Sequence, residues 1–267
     1  MLAHLIWNPG KFTHNTSQVE VAVKRFRYST GEEHSFHKST QAAMGELSCS
    51  LCFIGASRIT QLLDAFCFSD RGFLVFELWG ENLHYLLHKQ ICKPTDCKSL
   101  VKQCLEALQQ LQRHRIMHFD IKPANILIKG TGPQLTKDNA GSQPSKEQQK
   151  LLKLADLGIS HTPETLQQHT FTQLALQTWP YRAPEVLLRG KNCGFAADMW
   201  SVACVMFEIA SKGKSLFPFS KSNSKEEDKN GLHDILLLRP EHSRSLTVIW
   251  DLFWIIISTP SAWPSNF

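Results

Sequence analysis

One octet restricts the fold of this chain more than any other feature. It reads His-Phe-Asp-Ile-Lys-Pro-Ala-Asn at residues 118–125 and is followed at once by the apolar run 126–128. The octet sets an acid, a cation and an amide at fixed offsets, as Asp120, Lys122 and Asn125. Such a loop can hold a carboxylate near an attacking hydroxyl, an ammonium group near developing negative charge, and an amide oxygen on a metal ion. The spacing therefore favours a site for chemistry over a plain polar turn.

Two further motifs follow the octet along the chain: Leu-Ala-Asp-Leu-Gly at residues 154–158 and Tyr-Arg-Ala-Pro-Glu at residues 181–185. Together the three motifs resemble the catalytic loop (H-R-D-x-K-x-x-N), the D-F-G and the A-P-E of the protein kinases. The chain is identified as a member of the eukaryotic protein kinase family. The resemblance implies an α+β, bilobal protein kinase-like fold, with a small, mainly β N-lobe at residues 1–79 and a larger, mainly α C-lobe at residues 80–267.

Composition argues against several other classes of protein. The chain has 267 residues, of which 42% are hydrophobic, so it can bury the core of one large domain or two lobes. Its net charge is +5, and its lysines and arginines are scattered along the chain rather than grouped in basic blocks. Its eight cysteines show neither a disulfide framework nor zinc-finger spacing. No signal peptide or membrane-length apolar run stands out. We expect a soluble, cytoplasmic or nuclear protein with no nucleic-acid or membrane partner.

Residues 19–26 alternate apolar and polar side chains, which predicts a strand. The segment resembles the V-A-I-K strand of kinases, and the resemblance implies that Ala22 lies over adenine and that Lys24 holds the α- and β-phosphates of ATP. An edge strand with a solvated lysine explains the segment equally well by itself. The first thirty residues contain a single glycine, Gly10. We therefore expect a truncated or degenerate glycine-rich loop, too few residues for a full hairpin, and weakened ATP affinity.

A helix at residues 36–52 is expected to carry the ion-pair partner of Lys24, and Glu46 is the candidate. Gly45 and nearby serines interrupt its apolar stripe, so the sequence predicts a poor helix. Strands are predicted at residues 58–66 and 72–78.

The second of these strands leads into the region where kinases bind adenine. The resemblance implies that Phe76 is the gatekeeper residue, and plain core packing explains the same phenylalanine. Glu77 and Trp79 then fall on the hinge, whose backbone groups would hydrogen-bond the adenine edge.

The resemblance gives each polar group of the central loop a task. Asp120 would accept the proton or hydrogen bond of the substrate hydroxyl, and Lys122 would neutralise charge on the phosphoryl oxygens. Thr178 matches the threonine that bridges these two residues. Asn125 and Asp156 would bind Mg²⁺, so the implied cofactors are ATP and Mg²⁺. The lysine two positions after the aspartate is the serine/threonine-kinase form of the loop.

The segment at residues 177–185 resembles the substrate-side loop of the CMGC kinases, the group that holds the cyclin-dependent and SR-protein kinases. Arg182 matches an arginine characteristic of that group and suggests proline-directed specificity. Phe119 replaces an arginine that pairs with a phosphate on the activation segment, so activation by phosphorylation of that segment is not expected. Leu157 replaces the phenylalanine of D-F-G and is expected to fill the same apolar position.

Downstream, Asp198 matches the start of a buried kinase helix and would hold the backbone of the catalytic loop. Residues 129–150 are polar and rich in turn-forming residues, which predicts a surface insertion. The last helices of the family would lie beyond Phe267, so we expect an incomplete C-lobe.

The sequence therefore predicts a serine/threonine kinase that transfers the γ-phosphate of Mg-ATP to a protein hydroxyl, with a protein substrate and a regulatory subunit as partners. The alternative is a catalytically weak or inactive pseudokinase that serves as a protein-binding scaffold. The missing glycine-rich loop and the clipped C-lobe favour the scaffold. The retained polar groups favour the enzyme, because a scaffold needs none of them.

Overall fold

The computed structural model describes residues 10–13, 20–26, 33–68, 71–131, 149–167, 176–188 and 193–217. Its N-terminal part is a four-stranded antiparallel sheet with one long helix. The strands are β1 (Gly10–Thr13), β2 (Glu20–Arg25), β3 (Leu62–Phe68) and β4 (Arg71–Glu77), in the order β1-β2-β4-β3. β2 lies where the sequence predicts a strand, but its burial does not alternate, because Val21, Ala22 and Lys24 are all buried. Its register with β4 sets Ala22 opposite Phe76, and both residues belong to one buried apolar cluster with Phe26 and Leu74.

The helix of this part, α1 (Glu33–Leu51), is longer than predicted and runs through Gly45 without a break. Its exposed face includes Gln41, Met44 and Ser48, whereas Ala43 and Leu47 pack on the apolar cluster of the sheet. Tertiary packing of this inner face stabilises a helix that the local sequence disfavours. The prediction of a poor helix was therefore wrong, although its site at residues 36–52 was close.

One other prediction about this part needs correction, and one stays a prediction. β1 pairs antiparallel with β2, so one described strand precedes the strand that carries Lys24, and Gly10 is its first residue. The expectation that too few residues precede this strand for a full hairpin stays a prediction. The turn between the two strands lies outside the described residues. The strand predicted at residues 58–66 begins only at Leu62, because the chain before it leaves the sheet and forms a parallel bridge from Ile59 to Leu154.

The C-terminal part is mainly helical and begins with a short strand, β5 (Glu81–Asn82). The helices are α2 (Leu83–His88), α3 (Cys97–Arg113), α4 (Pro163–Gln167), α5 (Pro184–Leu187) and α6 (Phe195–Ala210), with 3₁₀ turns at Pro94–Asp96 and Pro123–Asn125. A small sheet, in the order β5-β6-β7, contains β6 (Ile126–Thr131) and β7 (Gln149–Leu154). β6 and β7 are the arms of the predicted polar insertion, and residues 132–148 between them lie outside the described residues.

The predicted boundary between lobes, at residues 79 and 80, falls between β4 and β5 and stays a prediction. α3 buries residues at helical spacing, among them Leu100, Cys104, Ala107 and Leu111, against β7 and α6. α6 is buried on most of its surface, as predicted. A second apolar cluster, which contains Phe119 of the octet and Leu176, includes Ala197 near the start of α6. The expected α+β kinase-like fold is confirmed. Among the described residues, no helix has both the length and the apolar character to cross a membrane.

Candidate active site

The octet forms a buried loop whose backbone is held by a carboxylate of α6. Asp198 accepts hydrogen bonds from the backbone N–H groups of His118 (2.7 Å) and Phe119 (2.8 Å). Its side chain is buried, and burial raises its pKa against the effect of these two N–H groups and of His118. The His118 ring lies 3.2 Å from the carbonyl of Ala155, which joins the loop to the second motif. The role predicted for Asp198 therefore agrees with the hydrogen bonds.

Asp120 lies at the centre of a cluster of polar side chains. Thr178 Oγ1 donates to Asp120 Oδ1 at 2.6 Å, and Lys122 Nζ lies 2.8 Å from Asp120 Oδ2 and 3.0 Å from Thr178 Oγ1. Asn125 Nδ2 donates to Asp120 Oδ2 at 2.9 Å. The structure thus brings together residues that are far apart in the chain. A carboxylate held on both oxygens keeps a fixed direction, which suits a group that must accept a proton at one place.

A second cluster links the two parts of the chain. Lys24 Nζ donates to Glu46 Oε2 at 2.6 Å and to Asp156 Oδ1 at 2.7 Å. The lysine and the glutamate are almost fully buried, and the aspartate side chain is 18% exposed. Glu46, the candidate that the sequence predicts, is therefore an ion-pair partner of Lys24.

The pKa values in this cluster reflect two carboxylates that share one cation. Burial lowers the pKa of Lys24, but the charges of Glu46 and Asp156 outweigh burial and leave it raised. Burial raises the pKa of Glu46 to about 7 against the attraction of Lys24, and Asp156 adds to the increase. Burial also opposes ionisation of Asp156, yet Lys24 holds its pKa below the usual value. Lys24 therefore favours the ionised form of the Asp156 carboxyl group, which is the form that binds a cation.

Gly158 lies close against this cluster. A Cβ at this position would lie 3.0 Å from Asp156 Oδ1 and Glu46 Oε2, and 3.2 Å from Lys24 Nζ. A side chain there would force these charged groups to shift by a few tenths of an ångström. This glycine is the third residue of the D-x-G motif, but no local pattern in the sequence assigns it to the site.

Asn125 and Asp156 fit the magnesium ion that the family implies. The backbone N–H of Ala155 donates to the carbonyl of Asn125 at 2.9 Å, so the two candidate ligands belong to adjacent backbone segments. Mg²⁺ in phosphate-transfer sites commonly uses one or two protein carboxylates together with phosphate oxygens. Among the described residues, no group of three or more His, Cys, Asp or Glu side chains could hold a metal alone. The donor set therefore suits a metal that arrives with a phosphate ligand.

The residues predicted to contact adenine lie at the junction of the two parts. Ala22 and Phe76 are buried side by side, which agrees with core packing and leaves the gatekeeper role a prediction. The backbone N–H of Glu77 donates to the carbonyl of Gln61 at 3.0 Å, so this N–H is already used within the protein. The Glu77 side chain forms an ion pair with Lys153.

The hinge itself approaches β6 closely. Gly80 has φ +42°, and a Cβ there would lie 2.1 Å from the carbonyl oxygen of Ile128. Lys153 Nζ lies 4.2 Å from the centre of the Trp79 ring, at cation–π distance. Lys153 is not predicted as a site residue, because no local pattern reveals that a lysine of β7 packs on the Trp79 ring.

The two departures from the kinase motifs are both buried apolar residues. Phe119, fully buried with φ 58°, packs in the cluster that includes Met117, Leu176 and Ala197. Leu157 is buried in the main core, as expected for a residue that takes the place of phenylalanine. Apolar contact thus occupies the position where the family has a phosphate-binding arginine.

Comparison with known proteins agrees with the motifs. The family model described as "Protein kinase domain" matches residues 10–251. Over 204 residues, the chain is 36% identical to "Cell division control protein 2 homolog 3" of Trypanosoma brucei brucei, which covers 76% of this chain and 57% of that protein. It is 29% identical over 213 residues to "Cyclin-dependent kinase 2" of Caenorhabditis elegans, and the match covers 78% of this chain and 51% of that protein. It is also 29% identical over 196 residues to "Cyclin-dependent kinase 7" of Dictyostelium discoideum, and this match covers 73% of this chain and 48% of that protein. The chain thus spans about half the length of these relatives.

Proposed function

Because this chain belongs to the protein kinase family, we propose that it is a serine/threonine kinase of the cyclin-dependent type that transfers the γ-phosphate of Mg-ATP to a protein hydroxyl. The observation that carries this proposal is the convergence of two clusters, one around Asp120 and one around Lys24 and Asp156, joined through the Ala155–Asn125 hydrogen bond. A scaffold has no need of either cluster.

In the proposed reaction each residue keeps the contacts described above. Asp120 orients the substrate hydroxyl and accepts its proton, and Thr178 and Asn125 fix the direction of the carboxylate. Lys122 compensates negative charge on the transferring group. Lys24, positioned by Glu46, contacts the phosphates of ATP. Such fixed charges supply most of the rate in phosphoryl transfer, because they need no rearrangement as the reaction proceeds.

Asn125 and Asp156 would hold the magnesium ion, which supplies neutralisation of phosphate charge when bound. Ala22, Phe76 and the hinge residues Glu77 and Trp79 would border the adenine. The N–H of Glu77 already donates to the carbonyl of Gln61. The Glu77 group proposed to hydrogen-bond the adenine edge is therefore its carbonyl oxygen.

The main experiment compares wild type with Asp120→Asn. We expect the variant to lose phosphate transfer to a protein or peptide serine, whereas thermal stabilisation by ATP persists. ATP with Mg²⁺ should raise the melting temperature of wild type more than ATP alone, since ligands that bind the folded state stabilise it by mass action. Equal transfer by wild type and variant would refute the role of Asp120. Absence of transfer by wild type together with no metal-dependent stabilisation would establish the scaffold instead.

The substrate-side loop favours an acceptor that is followed by proline. Gln177 directly precedes Thr178, and its carbonyl accepts two hydrogen bonds from the guanidinium of Arg182, at 3.0 and 3.3 Å. A substrate backbone N–H next to this residue cannot donate to the Gln177 carbonyl, because Arg182 already occupies that oxygen. An unpaired buried N–H costs about 1–3 kcal/mol. Proline has no N–H and avoids this cost.

We place a regulatory subunit on the outward face of α1 and the turn that follows it. Met44, Leu51 and Ile54 are 56%, 51% and 67% exposed, which is unusual for apolar side chains so close together in the chain. α1 carries Glu46 on its buried face, so a protein bound to the outward face acts on the Lys24 ion pair by positioning the helix. A cyclin-type protein should therefore increase the rate of the isolated chain, and Ile54→Asp should remove this increase without lowering the melting temperature. No increase with wild type would overturn the assignment. A cytoplasmic or nuclear location suits such partners.

A further inference from the structure

Two cysteines lie at the end of α1, three positions apart in the chain. Cys49 is half-buried in the last turn of the helix and packs on the main core, whereas Cys52 is exposed in the turn that follows. Both thiols are free, and neither takes part in the site described above. Their chemistry is therefore that of a pair of neighbouring thiols on the surface of the N-terminal part.

The backbone holds these two thiols on one side of the turn. The N–H of Cys52 donates to the carbonyl of Cys49 at 3.2 Å, and such a turn keeps Cα atoms three positions apart within about 7 Å. Disulfides join cysteines whose Cα atoms are about 4.4–6.8 Å apart. Sγ of Cys52 donates to the carbonyl of Ser48 at 3.4 Å, so it points back over the last turn of α1 toward the residue that precedes Cys49.

Cys52 also influences the ionisation of Cys49. Burial raises the pKa of the Cys49 thiol to about 11, and the neighbouring Cys52 and Glu46 add to the increase. This influence shows that the two thiols are close in space as well as in sequence. Because the thiolate is the nucleophile in disulfide exchange, Cys49 is a poor first attacker. The exposed Cys52 is therefore the thiol that first meets a disulfide in solution.

We propose that Cys49 and Cys52 form a redox-active pair that closes to an intramolecular disulfide in exchange with glutathione disulfide and so fixes the last turn of α1. The Cys52 sulfur attacks glutathione disulfide, forms a mixed disulfide and releases one glutathione. The Cys49 sulfur then attacks the Cys52 sulfur, forms the protein disulfide and releases the second glutathione. The protein gives up two electrons and two protons, and these convert one glutathione disulfide into two glutathione thiols.

The place of this pair in the fold gives the bond a consequence. Glu46, which forms an ion pair with Lys24, lies three residues before Cys49 on the same helix. Residues three apart on a helix are neighbours on its surface. A bond between the two sulfurs opposes opening of the turn, because opening separates Cys49 from Cys52. The redox state of the solution therefore sets how firmly the end of α1 next to Glu46 is held.

The experiment treats the native full chain with glutathione disulfide, blocks the remaining thiols and analyses its tryptic peptides by mass spectrometry. The peptide of residues 39–58 contains Cys49 and Cys52 and no other cysteine. In wild type this peptide should become lighter by two hydrogen atoms and carry no blocking group. In Cys49→Ala, which keeps an apolar side chain on the core, it should retain one glutathione on Cys52. In Cys52→Ala, Cys49 should stay reduced over the same time.

Cys67 supplies the internal control for the oxidant. It is exposed on β3 and is the only cysteine in the tryptic peptide of residues 59–71. The concentration of glutathione disulfide is raised until this peptide carries one glutathione in all three proteins. A wild-type peptide 39–58 that is then still reduced, or that retains glutathione as Cys49→Ala does, would overturn the inference. Modification of Cys49 in Cys52→Ala at the rate of Cys52 in Cys49→Ala would overturn the order of attack.

Amide hydrogen exchange tests the effect of the bond on the helix. Exchange over residues 49–53 should be at least about threefold slower in oxidised than in reduced wild type, and the oxidant should leave it unchanged in Cys49→Ala. Equal exchange in the two wild-type forms would show that the bond does not fix the turn. None of these measurements uses phosphate transfer, so the inference stands or fails independently of the proposed function.

Discussion

The carboxylate of Asp198 is the most informative position to perturb, because it supports the catalytic loop without touching the proposed substrate. Both of its oxygens accept backbone N–H groups, from His118 at 2.7 Å and from Phe119 at 2.8 Å, and its side chain is buried. Asp198→Asn preserves the shape of the side chain. It leaves one acceptor oxygen and sets an NH₂ group against the second N–H.

The cost of this change can be worked from its parts. A hydrogen bond to a charged group contributes about 1.5–3 kcal/mol, and a buried donor left without an acceptor costs about 1–3 kcal/mol. The substitution removes one hydrogen bond and leaves one backbone N–H without an acceptor. The two costs overlap, because both arise from that same N–H group. We therefore expect the free energy of unfolding to fall by about 2–4 kcal/mol, a large part of the 5–15 kcal/mol typical of a domain.

Urea denaturation followed by tryptophan fluorescence measures this loss, and steady-state kinetics measure its effect on the site. Because Asp198 fixes the loop that carries Asp120, kcat should fall at least about tenfold, whereas KM for ATP should stay within about twofold. Glu208→Gln on the same helix is the control. Tyr181 donates to Glu208 Oε2 at 2.7 Å, and an amide oxygen can still accept that bond. If Asp198→Asn destabilises the protein no more than Glu208→Gln does, or keeps full kcat, then the reasoning is wrong.

Three further predictions follow from single contacts. Gly158→Ala should weaken ATP binding at least about tenfold, measured by calorimetry, because its Cβ would lie 3.0–3.2 Å from the charged atoms of the Lys24 cluster. Phe119→Ala should lower the free energy of unfolding by about 3–5 kcal/mol, because it empties a fully buried position. Cys52 and Cys67 are exposed and should react with a thiol reagent in the native protein, whereas Cys104 should not, because burial raises its pKa to about 12.

Each of these predictions has a matched comparison. Gly45→Ala adds the same methyl group to a site where nothing beyond its chain neighbours and the backbone of its own helix lies within 4 Å. ATP binding should therefore be unchanged, and the helix should gain about 0.5–1 kcal/mol. Phe68→Ala removes a ring that is 69% exposed and should cost far less than Phe119→Ala. Equal effects within either pair would contradict the packing argument, and labelling of Cys104 at the rate of Cys52 would contradict the burial argument.

The sequence by itself determined the elements whose signals are local. The octet sets Asp120, Lys122 and Asn125 on one short loop, and any fold that forms the loop brings them near each other. The strand β2 follows from the alternation of apolar and polar residues in its own sequence, which is a local signal. Its predicted position, residues 19–26, agrees with the observed Glu20–Arg25 within a residue or so.

Tertiary structure decided which distant residues meet. α1 runs through Gly45 because its inner face packs on the sheet, and only this packing turns Glu46 toward Lys24. The start of β3 and the ion pair between Glu77 and Lys153 likewise depend on contacts between segments far apart in the chain. Gln177 is the clearest case, because a glutamine in a loop carries no local signal. Its side chain bonds to Ala197, Ser201 and Ala183, and its backbone N–H bonds to Phe119. Hydrogen bonds between such distant segments exist only after the chain has folded.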